Sequence, residues 1–321
     1  MIEAFGAAFA STVAAIAAIF LVILVSGLMV RRDVITQRQI DGLSVATVNL
    51  FLPCLIFSKV IATLKPAELP GWWALPLAGI AMALVGTALG AIVFAGRLRE
   101  KRNMLPVAGM QNAGYLVLPI GLALFPENFD TFALYVFLFI LGYNPVLWSV
   151  GKLLVSGNGG KRPGWRDFVT PPFVANLVAI AFVLSGAGKI LPGPVLKAID
   201  LLGTAAVPVA TLVLGAVLGS IDVRLRTHVA DTARAVGVKL MLLPAVTALL
   251  LYLTRLHISN PLLAEFFIIE AASAPAVALV LQVRTYGGDE SRVGSVMFFS
   301  YLACTLTLPA WVAIWRLLTS G

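Results

Sequence analysis

The sequence predicts an all-α polytopic membrane protein: ten transmembrane helices in two inverted five-helix repeats, with broken helices four and nine that cross. Three observations predict it: an apolar composition, an alternation of basic residues between loops, and prolines that recur at a nearly constant offset. Of 321 residues, 60% are hydrophobic and 12% charged, and the mean hydropathy is +0.97. A soluble domain carries about 25% charged residues. A fold of this length in water could not hide so much apolar surface, because much of any globule faces solvent. An ordinary soluble enzyme, a disordered chain and a disulfide scaffold are excluded.

A span needs about 20 apolar residues, and apolar windows place helices at 7–30, 38–62, 70–96, 104–125, 130–153, 172–190, 196–220, 230–254, 261–285 and 292–318. Span two begins polar and carries Asn49, Pro53 and Lys59. The odd-numbered loops hold 16 of the 23 Lys and Arg residues, from Arg31, Arg32 and Arg38 through to Arg284 and Arg292. The other side holds five: Lys65, Lys189, Lys197, Arg255 and Arg316. Basic residues favour cytoplasmic loops, so both termini are expected outside the cytoplasm of a cell membrane. This also accounts for the net charge of +8; no Lys/Arg run interleaved with aromatics points to a nucleic-acid partner. Glu3 is present and no Lys or Arg precedes Arg31, so a cleavable signal peptide is not expected. Cys54 and Cys304 lie in apolar segments and imply no disulfide framework.

The loop at 154–171, rich in Gly, Pro and basic residues, divides the chain into 1–153 and 172–321. Pro53 and Pro208 are 155 residues apart, as are Pro106 and Pro261; Pro119 and Pro275 are 156 apart, and Pro145 and Pro309 are 164 apart. Five spans per repeat make the second half enter the membrane from the opposite face, as in many secondary transporters.

Proline inside a span frees a backbone carbonyl, and irregular backbone at membrane depth survives only against protein or a watery cavity. Span four reads Gly109-Met110-Gln111-Asn112-Ala113-Gly114-Tyr115, leading to Pro119; span nine reads Glu270-Ala271-Ala272-Ser273-Ala274-Pro275. Corresponding interrupted helices point to the binding site. Two half-helix N-termini there would favour an anion. The candidate substrate-binding set is Gln111, Asn112, Gly114, Tyr115, Pro119, Ser273 and Pro275. Glu270 is the candidate ion-coupling residue, because a carboxylate near mid-span is costly and usually functional; H+ or Na+ would suit it. A neutral or Lys239-paired structural acid is the other reading of Glu270. Glu265, nearer the start of span nine, suits an interfacial role, and Lys59 can snorkel outward. Gly86/Gly90 and Gly215/Gly219 fit close helix packing. His228 and His257 fall in loops on opposite faces. No metal site, catalytic motif or cofactor fingerprint is read, and an enzyme is not expected.

These segments resemble the auxin efflux carrier family, which includes plant PIN proteins and bacterial organic-acid carriers. The resemblance rests on Pro53-Cys54-Leu55-Ile56-Phe57, on Asn112 seven residues before Pro119, and on Leu214-Gly215. Ala274-Pro275, Tyr286-Gly287-Gly288-Asp289 and Thr307-Leu308-Pro309 extend it over nearly the whole chain. It implies the crossover architecture shared with bile-acid symporters and the sodium/proton antiporter NhaA. It further implies substrate at the crossing of helices four and nine, elevator-type alternating access and a homodimer. Asn112, Pro119 and Pro275 take the crossover positions. Gln111 stands where PIN proteins have a proline, and the long hydrophilic loop of large plant PINs is absent. The function expected is secondary transport of a small organic anion, a mono- or dicarboxylate. A sodium-coupled carrier of the bile-acid symporter type is the alternative, and a ligand-binding receptor that moves nothing is the more distant one.

Overall fold

The computed structural model describes residues 2–156, 164, 169–222 and 229–319. Most of the predicted linker 154–171 falls outside the described residues, as do Arg224, Arg226 and His228. Among the described residues the chain is helical, without strands apart from one isolated bridge between Gln111 and Pro275. Among these residues seven helices are long and apolar enough to cross a membrane: α1 (Ile2–Arg31), α2 (Gln37–Thr63), α3 (Ala74–Val93), α6 (Pro126–Val155), α8 (Gly193–Gly219), α9 (Val229–Leu253) and α12 (Glu290–Thr319). Two shorter pairs complete the pattern. These are α4 (Met104–Gly109) with α5 (Val117–Leu124), and α10 (Pro261–Ala272) with α11 (Ala278–Tyr286). Helix α7 (Pro171–Leu184) has 14 residues. At 1.5 Å rise it covers about 21 Å, less than a hydrocarbon core of about 30 Å.

Most predicted boundaries hold to a few residues. Span six is the exception: it was expected to reach 190 and stops at Leu184, where Gly186 turns left-handed at φ 74°. Glycine adopts that conformation without the steric cost of a Cβ and so ends the helix.

Prolines shape the long helices locally. The proline ring displaces the carbonyl four residues earlier. That carbonyl belongs to Asn49 for Pro53 and to Leu240 for Pro244, and each lies inside a wide π-type turn, Thr47–Phe51 in α2 and Val238–Leu242 in α9. Pro119, Pro171 and Pro261 sit in first turns, where the missing N–H costs nothing, whereas Pro145 and Pro309 lie inside α6 and α12. Pro261 opens α10 behind the Asn260 cap, whose side chain accepts from the Leu263 N–H at 3.0 Å.

Glycines set the close crossings. A Cβ on Gly86 would fall 2.4 Å from the Gly109 carbonyl oxygen, so α3 and α4 touch through backbone. A Cβ on Gly219 would fall 2.3 Å from the Gly27 carbonyl oxygen, which locks α8 against α1. Both small-residue pairs read from the sequence are therefore packing faces. Outward leucines such as Leu21, Leu24, Leu249 and Leu302 stay more than half exposed, as expected of a surface solvated by lipid. The buried core is dense around α6, whose Phe132, Phe137 and Phe139 are fully enclosed.

Candidate functional site

The α4–α5 break and the α10–α11 break meet in the interior. Each interrupts an apolar helix at a run of small residues, and the backbone groups freed there need new partners at membrane depth. They find them in each other. The Asn112 N–H donates to the Ala274 carbonyl at 2.9 Å, and the Ala276 N–H donates to the Met110 carbonyl at 3.0 Å, an antiparallel pairing centred on Gln111 and Pro275. Helix α5 restarts with Pro119 in its first turn, where proline is tolerated; Pro275 instead lies within the break itself. Neither α5 nor α11 has a side-chain cap at its start.

The breaks also correct the register of the proposed repeat. Gly109 and Ala272, which end the first half-helices, are 163 residues apart; Val117 and Ala278, which begin the second, are 161 apart. This agrees with the spacing of Pro145 and Pro309, both inside long helices, rather than with the three shorter proline offsets. Pro119 and Pro275 are therefore not structural equivalents.

Around the paired breaks the polar side chains are almost wholly buried. Asn112 Nδ2 donates to the Tyr301 hydroxyl at 2.6 Å, and that hydroxyl donates in turn to the Pro275 carbonyl at 3.1 Å. From the other side, the Tyr143 hydroxyl donates to the Gln111 carbonyl at 2.6 Å. The side-chain amide of Gln111 and both carboxyl oxygens of Glu270 have no hydrogen-bond partner among the described residues, although both residues are fully buried. The Ser273 hydroxyl is turned back onto the Glu270 carbonyl at 2.9 Å, which removes its proton from a ligand's reach. Gly114 and Tyr115 lie half-buried at the approach to α5.

Glu270 occupies the last turn of α10, where the helix dipole disfavours negative charge. Lys239, fully buried on α9, supplies the opposite sign: its ammonium donates to the Ala271 carbonyl at 2.7 Å. A direct ion pair between Lys239 and Glu270 is not what holds the acid. Glu265 pairs with Arg316 at 2.8 Å. Lys59 is held rather than freely snorkelling, with Asp130 at 3.0 Å and Asp200 at 3.4 Å. Among the described residues no group of three or more His, Cys, Asp or Glu could hold a metal ion.

Sequence reasoning brought Gln111, Asn112, Ser273, Pro275 and Glu270 to one place but missed Tyr143, Tyr301 and the role of Lys239. Tyr301 is 189 positions from Asn112. The only local signal was a tyrosine hydroxyl set deep in an apolar span, which needs a buried partner.

The family model described as membrane transport protein matches residues 11–163 and again 161–312. No curated protein matches the chain at a significant level. The two matches together span most of the sequence and divide it near its midpoint. With seven apolar helices among the described residues long enough to cross a bilayer, the chain is a multi-pass membrane protein, and it belongs to the auxin efflux carrier family of membrane transport proteins.

Proposed function

We propose that this membrane transporter is a secondary carrier of a small organic anion, a mono- or dicarboxylate, which binds where the two helix breaks pair. The antiparallel pairing of 110–112 with 274–276 carries the reading. The Asn112 amide lies in this pairing and the uncapped starts of α5 and α11 follow it along the chain, and donors with positive helix ends suit a carboxylate. Residues 1–153 and 172–321 form two inverted five-helix repeats joined by 154–171, giving ten spans when each broken pair and α7 count as crossings. The double family match supports that division. The distribution of basic residues supports cytoplasmic odd loops and extracytoplasmic termini in a cell membrane. Family membership supports an elevator-type movement in a homodimer.

Glu270 carries the coupling ion. A charged carboxylate in the last turn of α10, buried and unpartnered, is costly; taking up H+ or Na+ removes that cost. Lys239, whose ammonium holds the neighbouring Ala271 carbonyl, favours H+, because a fixed cation already stands at the end of α10. The alternative sodium-coupled carrier would need more oxygen ligands than Ala271, Ala272, Ala274 and Ala276 leave room for.

The direct test is a thermal-shift screen of organic acids on purified protein, across pH and with or without sodium. A ligand that binds the folded state raises the melting temperature by mass action. Stabilisation by carboxylates that Asn112→Ala abolishes is the expected result; stabilisation only by cations, or none by any acid, contradicts it.

A further inference from the structure

Tyr301 faces two places at once. It lines a cavity of about 500 Å³ between α1, α8 and α12 that opens at the lipid-facing Leu24 and Leu28, with Phe20 and Phe298 in its wall and Arg31 at one end. Its hydroxyl reaches the paired breaks, accepting from Asn112 and donating to the Pro275 carbonyl. The cavity exists because Gly27, Gly215 and Gly219 bring α1 and α8 together and offer no side chains to fill the space beside the crossing. Its volume lies within the range of about 300–1,000 Å³ typical of small-molecule sites. Tyr301 is only 4% exposed and stands between this space and Asn112.

We propose that Tyr301 is a displaceable plug: its phenol oxygen holds the acceptor position on Asn112 that a substrate carboxylate takes when it moves from the cavity to the crossing. The proposal rests on the reading of Asn112 as the anion's donor. A carboxylate accepts from an amide in a charge-assisted bond, roughly twice as strong as one between neutral groups. The displaced phenol gives up only its acceptor role, because its own O–H keeps the Pro275 carbonyl. Tyr143 is built differently. Among the described residues its hydroxyl has one hydrogen-bond partner, the backbone carbonyl of Gln111, so it braces the break without competing for Asn112.

The test compares malonate and phenylacetate binding to the full chain in detergent, by calorimetry, for wild type, Tyr301→Phe, Tyr143→Phe and Asn112→Ala. Removing the competing acceptor should tighten binding of at least one probe by about three- to tenfold in Tyr301→Phe, since a hydrogen bond is worth about 0.5–1.5 kcal/mol net. Tyr143→Phe should not tighten binding, because its hydroxyl does not occupy the Asn112 donor, and Asn112→Ala should abolish it. Unchanged or weaker binding by a folded Tyr301→Phe, with Asn112→Ala still inactive, overturns the plug and leaves the site intact. Equal binding by wild type and Asn112→Ala, or none by either, overturns the anion site and the plug with it. Should Tyr301→Phe fail to fold, infrared difference spectra of the wild type on malonate addition decide the matter. A shifted tyrosine C–O band that Tyr143→Phe retains supports displacement, and its absence overturns it.

Discussion

The Lys239 ammonium lies 2.7 Å from the Ala271 carbonyl oxygen, one residue beyond a Glu270 carboxyl that has no hydrogen-bond partner among the described residues. A cation on the C-terminal end of a half-helix is stabilising, and an anion in its last turn is not. The two side chains therefore compensate through the helix end rather than through a contact. Lys239→Met should lower stability by about 1.5–3 kcal/mol, the worth of a hydrogen bond to a charged group. Adding Glu270→Gln should recover part of the loss, because the remaining buried charge then disappears. Melting temperatures of the two variants in detergent check this; a double variant less stable than the single one contradicts the compensation.

At the other polar cluster, Lys59 bridges Asp130 and Asp200, each at least 45% exposed at the side chain. Exposed ion pairs are worth about 0.2–1 kcal/mol. Asp130→Asn or Asp200→Asn alone should thus change the melting temperature little, since Lys59 keeps the other partner. The double variant should lose more than the two singles together, and strict additivity would show that Lys59 does not link them.

Lys101 is held between Asp231 at 2.7 Å and Glu100 at 2.9 Å, outside the spans. The Asp231 hydrogen bond, followed by that of Glu100, raises the Lys101 pKa above the ordinary lysine value. A raised folded-state value means that the stabilisation is fully present below the unfolded pKa, about 10.4, and fades as pH rises through the folded one. Lys101→Met should therefore melt lower than wild type by about 1 kcal/mol equivalent at pH 7. The gap should close only in strongly alkaline buffer. A gap that closes on acidification towards pH 7 would contradict the assignment.

Gly142 sits where a Cβ would fall 1.9 Å from the Pro76 carbonyl oxygen, between α6 and α3. Backbone cannot yield as a side-chain tip can, so Gly142→Ala should destabilise by about 1–3 kcal/mol, the usual cost of overpacking. Gly42→Ala, with nothing within 4 Å, is the control and should melt like wild type.

Most of the fold was legible because lipid imposes long apolar runs, and those runs fix α1, α3, α8 and α12 to within about five residues. The breaks were legible from proline and small residues around Asn112 and Pro275. Their register was not, because proline is tolerated both in a helix's first turn, as at Pro119, and within a break, as at Pro275. Proline spacing alone cannot distinguish these positions. Tyr301 and Tyr143 were invisible for a different reason: each acts through a tertiary contact, 189 and 32 positions from its partner, with no periodic signature. The end of α7 was missed because an apolar window runs on through Ala187 while Gly186 has already ended the helix.

The proposed service of Asn112 and Glu270 in one transport step is tested most directly by flux in proteoliposomes. Uptake of a carboxylate found to bind should follow an imposed pH or sodium gradient in wild type and vanish in Asn112→Ala. In Glu270→Gln, exchange of the acid across the membrane should persist or stop, but accumulation driven by the gradient should be lost. Gradient-driven accumulation that survives in either variant would contradict the central claim.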